Sequence, residues 1–264
     1  MGLFDKFKKK EKIEETKQNP LLLSMPMFNS DDVFSLDDII NDLKTYWGLN
    51  VTDQTGNDEV STFIINGETV AIGLMPAPIP ENELKPICEY SYLWNNALEE
   101  IEKHTSHAIV SVLGSNTNIL ERYKILTKLN ASILRTTTNS IGVYKGNQTL
   151  LLPKDLYLDF ANFLKGDGLP IPLWVYLGLM NNETESSIYT YGLKEFKKLE
   201  IEILNSSLKG NDLYDFLLSI ITYIIESDVT LKNGETIGFS EKQKIKITES
   251  KGVFLDGKTL KLEI

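Results

Sequence analysis

The chain has 264 residues, of which 42% are hydrophobic and 24% charged, and its formal net charge is −10. This composition predicts a globular protein that can bury a core without disulfides. The acidic balance argues against a nucleic-acid partner, which needs a basic face. The single cysteine, Cys88, excludes an internal disulfide and favours a cytoplasmic location. No apolar run is long enough to span a membrane, and we recognise no secretory signal.

Residues 1–20 differ in composition from the rest of the chain. Leu3, Phe4 and Phe7 lie at helical spacing among several lysines. We interpret this segment as a disordered, basic and amphipathic tail. Solvation of the tail is the favoured interpretation, and a weak peripheral membrane contact through residues 1–10 is the alternative.

Strand and helix patterns alternate from Leu21 onwards. Asn66-Gly67 favours a type I′ turn, because both residues tolerate positive φ angles. Up to residue 114 we predict a strand over 21–28, a helix capped by Ser35 and Asp38, a hairpin over 60–75, a helix over 83–103 and a strand over 107–114.

The second half of the chain continues the alternation. KLEIEI, residues 198–203, shows the period of two that is typical of a strand. We predict a helix opened by Asn118, strands over 141–144 and 149–152, a helix after Pro153, strands over 173–180, 187–193 and 198–203, a helix over 211–226, and the strands ETIGF, KIKI, GVFL and TLKLEI.

The order of these elements indicates a fold class. Residues 21–114 read β-α-β-β-α-β, and residues 107–180 repeat that order. This is the split βαβ order of ferredoxin-like folds. We therefore predict an α+β protein of tandem ferredoxin-like units, with largely antiparallel sheet and helices on one face. The predicted organisation is a tail over 1–20, an α+β region over 21–188 and a C-terminal α+β region over 189–264, packed as one compact unit.

Few residues suggest catalysis or metal binding. His104 and His107 have a spacing that metal ligands use, but they fall where a helix ends and a strand begins, so they need not face one site. Residues 110–124 read as strand, turn and helix without the glycines and lysine of a phosphate-binding loop. We therefore predict no catalytic residue, no metal and no cofactor.

Two segments are candidates for contact with a partner or ligand. In LMPAPIP, Met75, Pro76, Pro78 and Ile79 form either a rigid rim for docking or a strand exit that turns a corner. Tyr189 and Tyr191 alternate on a strand, where they either line a cleft or form a half-exposed strand face. Glu235 is a carboxylate candidate for the same cleft.

Glu235 belongs to a repeated tetrapeptide. Asn-Gly-Glu-Thr occurs at residues 66–69 and again at 233–236. Each copy places a turn former before a threonine and then apolar strand residues. We interpret the repeat as turn architecture used twice, not as a shared binding site.

The C-terminal part of the chain resembles a known family. The resemblance is carried by the segment YTYGLKEFKKLEIEI and by the sequence from LYDFLLSIITYIIESD to TLKLEI. These segments resemble the bacterial family named domain of unknown function 4261. The resemblance is best over residues 189–264 and weaker over 21–188. The family has no assigned activity, so no catalytic residue carries over. The resemblance implies a bacterial, cytosolic α+β protein.

Our leading prediction is a non-enzymatic protein-binding module, for which an immunity-type or regulatory role would fit. The acidic composition and the lack of an assembled nucleophile or metal set favour it. One alternative is a small-ligand receptor or enzyme with a cleft between the α+β halves. The other is a membrane-peripheral protein that uses the basic N-terminal segment.

Overall fold

A computed structural model describes residues 21–30, 34–114, 117–240 and 243–264. The tail predicted over 1–20, with its membrane contact, lies outside these residues. The first sheet has seven antiparallel strands in the order β2-β3-β4-β5-β1-β6-β7. They are β1 (Leu22–Phe28), β2 (Val51–Gly56), β3 (Val60–Ile65), β4 (Glu68–Met75), β5 (Ser106–Val112), β6 (Ser140–Lys145) and β7 (Leu150–Pro153).

The second sheet has six strands in the order β11-β12-β13-β10-β9-β8. Strands β10 and β13 run parallel, and the other neighbours are antiparallel. The strands are β8 (Tyr176–Asn181), β9 (Ser186–Tyr191), β10 (Ile201–Ser206), β11 (Thr236–Ser240), β12 (Gln243–Lys251) and β13 (Lys258–Glu263).

Six α-helices connect and cover these sheets in the described part of the chain. They are α1 (Leu36–Thr45), α2 (Glu81–Cys88), α3 (Ala97–Ile101), α4 (Ile119–Thr136), α5 (Lys154–Ala161) and α6 (Gly210–Glu226). Short 3₁₀ turns lie at Gly146–Gln148, Asn162–Lys165, Ile171–Leu173 and Leu193–Phe196. Among the described residues, no helix is long and apolar enough to cross a membrane.

The helix caps and the hairpin turn that the sequence predicts are present in the structure. The Ser35 hydroxyl accepts the backbone N–H of Asp38 at 3.3 Å, and α1 begins there. Asn118 caps α4 in the same way, with a hydrogen bond of 3.0 Å from the N–H of Glu121. The β3–β4 turn at residues 66–67 has positive φ at both positions, as a type I′ turn requires.

The mixed α+β class is confirmed, but helices cover both faces of the first sheet. Neighbouring strand residues point to opposite faces. On β6, Val143 joins the core cluster that includes Leu129 of α4, whereas Tyr144 joins a separate cluster with Leu84 of α2 and Ile101 of α3. The predicted placement of helices on one face is therefore wrong for this sheet. The larger cluster also includes buried residues of the second sheet.

The tandem ferredoxin-like units are not confirmed. Strands β5 and β6, joined by α4, are parallel with β1 between them, which is one split βαβ unit. The prediction over 21–114 missed β2, and α1 connects strands that are separated by three others. The predicted repeat over 107–180 fails because β8 belongs to the second sheet. The domain boundary at residues 188 and 189 stays a prediction.

Two predicted elements are different in the structure. The helix predicted over 83–103 is two helices separated by turns at residues 89–96. Turn hydrogen bonds replace the helical pattern after Cys88. The N–H of Tyr90 and the hydroxyl of Ser91 both donate to the carbonyl of Ile87, at 3.0 and 2.8 Å, while Pro86 lies inside α2. Residues 252–255, GVFL, form a loop between β12 and β13 instead of a strand, and this loop reaches the site described next.

Candidate functional site

An open cleft of about 310 Å³ lies where the segment around α2, the start of β7 and strands β8 and β9 meet. We call it the tyrosine cleft. It is lined by Pro86, Ile87, Tyr90, Thr149, Tyr176, Tyr189, Tyr191 and Leu255. The lining contains four tyrosines and no charged side chain. The cleft is the strongest candidate for a binding site, because concave, largely apolar surfaces with a few hydroxyl groups are typical of such sites.

Four aromatic rings form a continuous row, and the middle two, Tyr176 and Tyr189, line the cleft. Ring centroids lie 5.9 Å apart for Tyr92 and Tyr176, and 6.1 Å apart for Tyr176 and Tyr189. Phe254 then stacks on Tyr189 at 5.3 Å. We call these four residues the aromatic row. Consecutive rings of its three tyrosines are tilted by 54° and 57°, so the rings are not coplanar.

Gly178 fixes the position of Tyr189. The two residues are partners across the β8–β9 ladder. A Cβ atom at position 178 would lie 2.2 Å from the ring of Tyr189, which covers the backbone of the glycine. The missing side chain therefore provides the space that this ring occupies.

Two buried carboxylates hold the walls of the cleft. Glu200 accepts the N–H groups of Gly192 and Leu193 at 2.9 and 3.2 Å, which fixes the turn after Tyr191. Glu202 accepts the N–H of Phe254 at 3.0 Å and so fixes the loop that carries the last ring of the aromatic row. Both glutamates are buried although KLEIEI alternates them with isoleucines, because β10 is covered on both faces.

The hydroxyls of Tyr92, Tyr176 and Tyr189 stay protonated at neutral pH, because their pKa values are raised. Burial raises the pKa of Tyr176 to about 12, and its hydroxyl bonds that of Tyr189. Burial also raises the pKa of Tyr189. The same cause raises the pKa of Tyr92, whose hydroxyl bonds that of Tyr214 on α6. These groups offer neutral hydrogen-bond donors and acceptors and no negative charge.

Thr149 has an uncommon backbone conformation. Its φ is 50° and its ψ is 35°, the left-handed region that β-branched residues rarely adopt. Its hydroxyl donates to the carbonyl of Gln148 at 2.8 Å. Strained residues of this kind concentrate at functional sites, so the position of Thr149 on the cleft wall supports the assignment.

The two histidines bind the backbone of the proline segment, residues 75–80. Nε2 of His104 accepts the N–H of Ile79 at 2.8 Å, and its Nδ1–H donates to the carbonyl of Ile101. His107 donates through Nδ1 to the carbonyl of Ala77 at 2.8 Å, and burial lowers its pKa. In the described ranges, no group of three or more His, Cys, Asp or Glu side chains is placed to hold a metal ion.

The candidate residues predicted from the sequence lie at three different places. Tyr189 and Tyr191 line the tyrosine cleft. Pro78 and Ile79 line a second cavity of about 260 Å³ beside α2, and Met75 and Pro76 are exposed next to it. Glu235 lines neither cavity, and its carboxylate accepts the N–H of Lys232 at 2.9 Å. The choice among these as binding residues stays a prediction.

The two Asn-Gly-Glu-Thr copies share the conformation of their glycines and differ in the rest. Gly67 and Gly234 both have positive φ, at 88° and 85°, whereas Asn66 has positive φ and Asn233 does not. Glu68 is fully buried and accepts the N–H of Thr117, whereas Glu235 is exposed. The prediction of one turn used twice is therefore wrong in detail: the first copy forms the β3–β4 hairpin turn, and the second forms a different turn before β11. The two glutamates have different surroundings and form no shared site.

Sequence reasoning missed six lining residues: Pro86, Ile87, Tyr90, Thr149, Tyr176 and Leu255. The sequence predicts Tyr90 within a continuous helix, although Pro86 disfavours an uninterrupted helix in this region. It predicts Leu255 in a strand. Thr149 carries no signal, because the left-handed conformation of a threonine is set by tertiary contacts.

The fold and this cleft define an α+β protein with a preformed, uncharged aromatic cleft. Residues 189–263 match the model of a family described as domain of unknown function, DUF4261. The resemblance is therefore confirmed for this segment, which contributes Tyr189, Tyr191 and Leu255 to the cleft. Comparisons with curated proteins and with solved structures found no match.

Proposed function

We propose that this protein is a binding module whose tyrosine cleft receives an uncharged, apolar group of a partner protein. One observation carries the proposal: four tyrosines line a cleft that contains no charged side chain. Tyrosine is enriched at protein interfaces because its ring gives apolar contact area while its hydroxyl keeps a polar partner. The bacterial, cytoplasmic setting that the family resemblance implies is part of this proposal.

The lining favours binding over catalysis. General acid–base catalysis at neutral pH uses a group whose pKa lies near the working pH. The lining offers phenol and threonine hydroxyls, and burial raises the pKa values of Tyr176 and Tyr189 away from neutrality. A receptor for a small ligand is the second candidate, because about 310 Å³ lies at the lower end of the range for small-molecule sites.

Blocked single amino acids test the proposal. In protein that carries ¹³C-labelled tyrosine rings, N-acetyl amides of leucine, tryptophan and proline should shift the resonances of Tyr90 and Tyr176. The charged analogues of glutamate and lysine should not, because the lining provides no countercharge for them.

Two exposed tyrosines provide a matched pair of variants. Tyr90 is 60% exposed and lines the cleft, so Tyr90→Ala should fold normally and lose the shifts at Tyr176. Tyr223 on α6 is 48% exposed and lies outside the cleft lining, so Tyr223→Ala should retain them. Equal shifts from charged and uncharged compounds, or no shift at the cleft tyrosines, would contradict the proposal.

A further inference from the structure

The hydrogen-bonding groups of the tyrosine cleft favour some uncharged partner groups over others. The polar groups on its lining side chains are hydroxyls, of Tyr90, Thr149, Tyr176, Tyr189 and Tyr191. The hydroxyls of Tyr176 and Tyr189 bond each other, and that of Thr149 donates to the carbonyl of Gln148. The hydroxyls of Tyr90 and Tyr191 therefore provide the donors for a partner. An extended peptide brings backbone carbonyls that need donors and N–H groups that need acceptors, and each polar group buried without a partner costs free energy. Proline brings a carbonyl and no N–H.

The aromatic row adds a requirement of shape. Its tilted tyrosine rings present edges as well as faces, and the ring of Tyr189 lies over the backbone of Gly178 and stacks on Phe254. Polyproline II is the conformation that presents bulky rings to an aromatic surface while its carbonyls point outward for hydroxyl donors. It is also preformed in the free peptide, so little conformational entropy is lost on binding.

The residues around the cleft favour a positive charge on the partner. Exposed Glu89 precedes Tyr90 and exposed Asp256 follows Leu255, and the whole chain carries a net charge of −10. The nearby cation Lys85 already pairs with Glu81 at 2.6 Å. A basic residue next to the bound segment therefore finds complementary charge at the edge of the cleft.

We propose that the partner of the tyrosine cleft is a proline-rich segment of another protein, in the polyproline II conformation and flanked by lysine or arginine. This inference rests on the proposed function and specifies its partner. The prolines pack against the rings of Tyr176 and Tyr189, the hydroxyls of Tyr90 and Tyr191 donate to their carbonyls, and the basic residue lies near Glu89 or Asp256.

Synthetic peptides with a fluorescent label test this inference by anisotropy. The probe is a blocked hexaproline followed by arginine. One comparison peptide has six alanines and the same arginine, and another has six prolines followed by glutamate. We expect the probe to bind on the order of tenfold more tightly than the alanine peptide. The glutamate peptide should bind more weakly than the probe, with a difference that shrinks as salt is added.

The same two exposed tyrosines localise the binding. Tyr90→Ala should weaken binding of the probe on the order of tenfold, and Tyr223→Ala should leave it unchanged. Tyr90→Phe isolates the hydroxyl and should have an intermediate effect. These variants change side chains that are 60% and 48% exposed, so the folding of the domain is not at risk.

The outcomes separate this inference from the proposed function. Equal affinity for the proline and alanine peptides, or unchanged affinity in Tyr90→Ala, would overturn the proline assignment. Binding of blocked leucine or tryptophan at the cleft tyrosines, without binding of the proline peptide, would also overturn it and leave the proposed function intact. If neither peptides nor blocked amino acids reach the cleft, both proposals fail.

Discussion

The carboxylate of Glu202 lies 2.6 Å from Nζ of Lys261, where the second sheet pairs its parallel strands β10 and β13. The same carboxylate accepts the N–H groups of Val253 and Phe254. Burial opposes ionisation of Glu202, but the bonds from Lys261 and the two N–H groups outweigh it, so its pKa is lowered. One side chain thus ties the strand pairing to the loop that supports Tyr189.

Replacing Lys261 with methionine should destabilise the protein by about 3 kcal/mol, because a buried carboxylate loses its cation. The free energy of unfolding, measured in urea at pH 7, checks this. Lys246→Met is the control: Lys246 pairs with Glu263 at 3.3 Å on the exposed surface of the same sheet, and its loss should cost less than about 1 kcal/mol. Similar costs for the two variants would contradict the structural role of Glu202.

The stability difference between wild type and Lys261→Met should depend on pH in a defined direction. A carboxyl group whose pKa is lowered by folding stabilises the protein above its unfolded value of 4.5, and this stability is lost as the pH falls through the folded pKa. The difference between wild type and Lys261→Met should therefore shrink on acidification, from the pH at which Glu202 protonates in the folded variant down to its lowered pKa in the folded wild type, because protonated Glu202 no longer needs the cation.

Replacing Gly178 with alanine should displace Tyr189, because the new Cβ would lie 2.2 Å from its ring. We expect a loss of about 1–3 kcal/mol in stability and weaker binding of the labelled proline peptide. Gly73→Ala is the matched control on β4, where a Cβ meets no heavy atom within 4 Å. The double variant Gly178→Ala with Tyr189→Ala should recover part of the stability and none of the binding; a fully stable single variant would argue against a fixed ring.

Replacing Thr149 with glycine should separate stability from binding. Glycine relieves the left-handed strain of about 1–2 kcal/mol but gains entropy in the unfolded chain, so a net gain of about 0.5–1 kcal/mol is expected. Loss of the side chain from the cleft wall should weaken the proline peptide about fourfold. Thermal unfolding and anisotropy measure the two effects.

Lys197 provides the control for Thr149, because its φ of 59° is also left-handed and it lies outside the cleft lining. Lys197→Gly should stabilise the protein by a similar amount and leave peptide affinity unchanged. Weaker peptide binding in both variants would show that general loosening, not the wall at Thr149, determines affinity.

The parts of the fold that the sequence predicts are those determined by neighbouring residues. The caps at Ser35 and Asn118 and the turn at residues 66–67 depend on three or four consecutive positions, and all three formed as expected. The match over residues 189–263 likewise follows a continuous stretch of sequence. Local chemistry is sufficient for each of these features.

The cleft could not be predicted because its residues come from separate segments. Tyr189 contacts residues from two other segments. Gly178 is its partner on the neighbouring strand β8, which also carries Tyr176, and Phe254 lies in a distant loop. The alternation in KLEIEI correctly indicates a strand. It does not show that Lys261 and the backbone of two loops provide the hydrogen bonds to its buried glutamates. The order of strands in the sheet determines which segments meet, and this order cannot be deduced from the hydrophobic pattern of a single strand.

Lys145 is the clearest case of a buried charge in the core. Its Nζ donates to the carbonyl of Leu173 at 3.1 Å and lies 4.6 Å from the ring centroid of Tyr123. Burial lowers its pKa to about 7, against a partly opposing effect of Glu195, whose own pKa burial raises. Between pH 7 and its unfolded value of 10.5, the unfolded chain holds a proton that the folded protein lacks, so Lys145 makes stability rise with pH in this window.

Lys145→Met should remove this dependence. At pH 7 the variant should be more stable than wild type by about 1 kcal/mol or more, because methionine fills the same space without a charge to desolvate. The difference should fall towards pH 10 by at most about 1.4 kcal/mol for each pH unit. Lys145→Arg is the opposite control: guanidinium cannot lose its proton in this range, so the variant should be destabilised throughout. Urea unfolding at pH 7, 8.5 and 10 measures all three proteins, and a difference between wild type and Lys145→Met that does not change with pH would show that Lys145 does not titrate in the core.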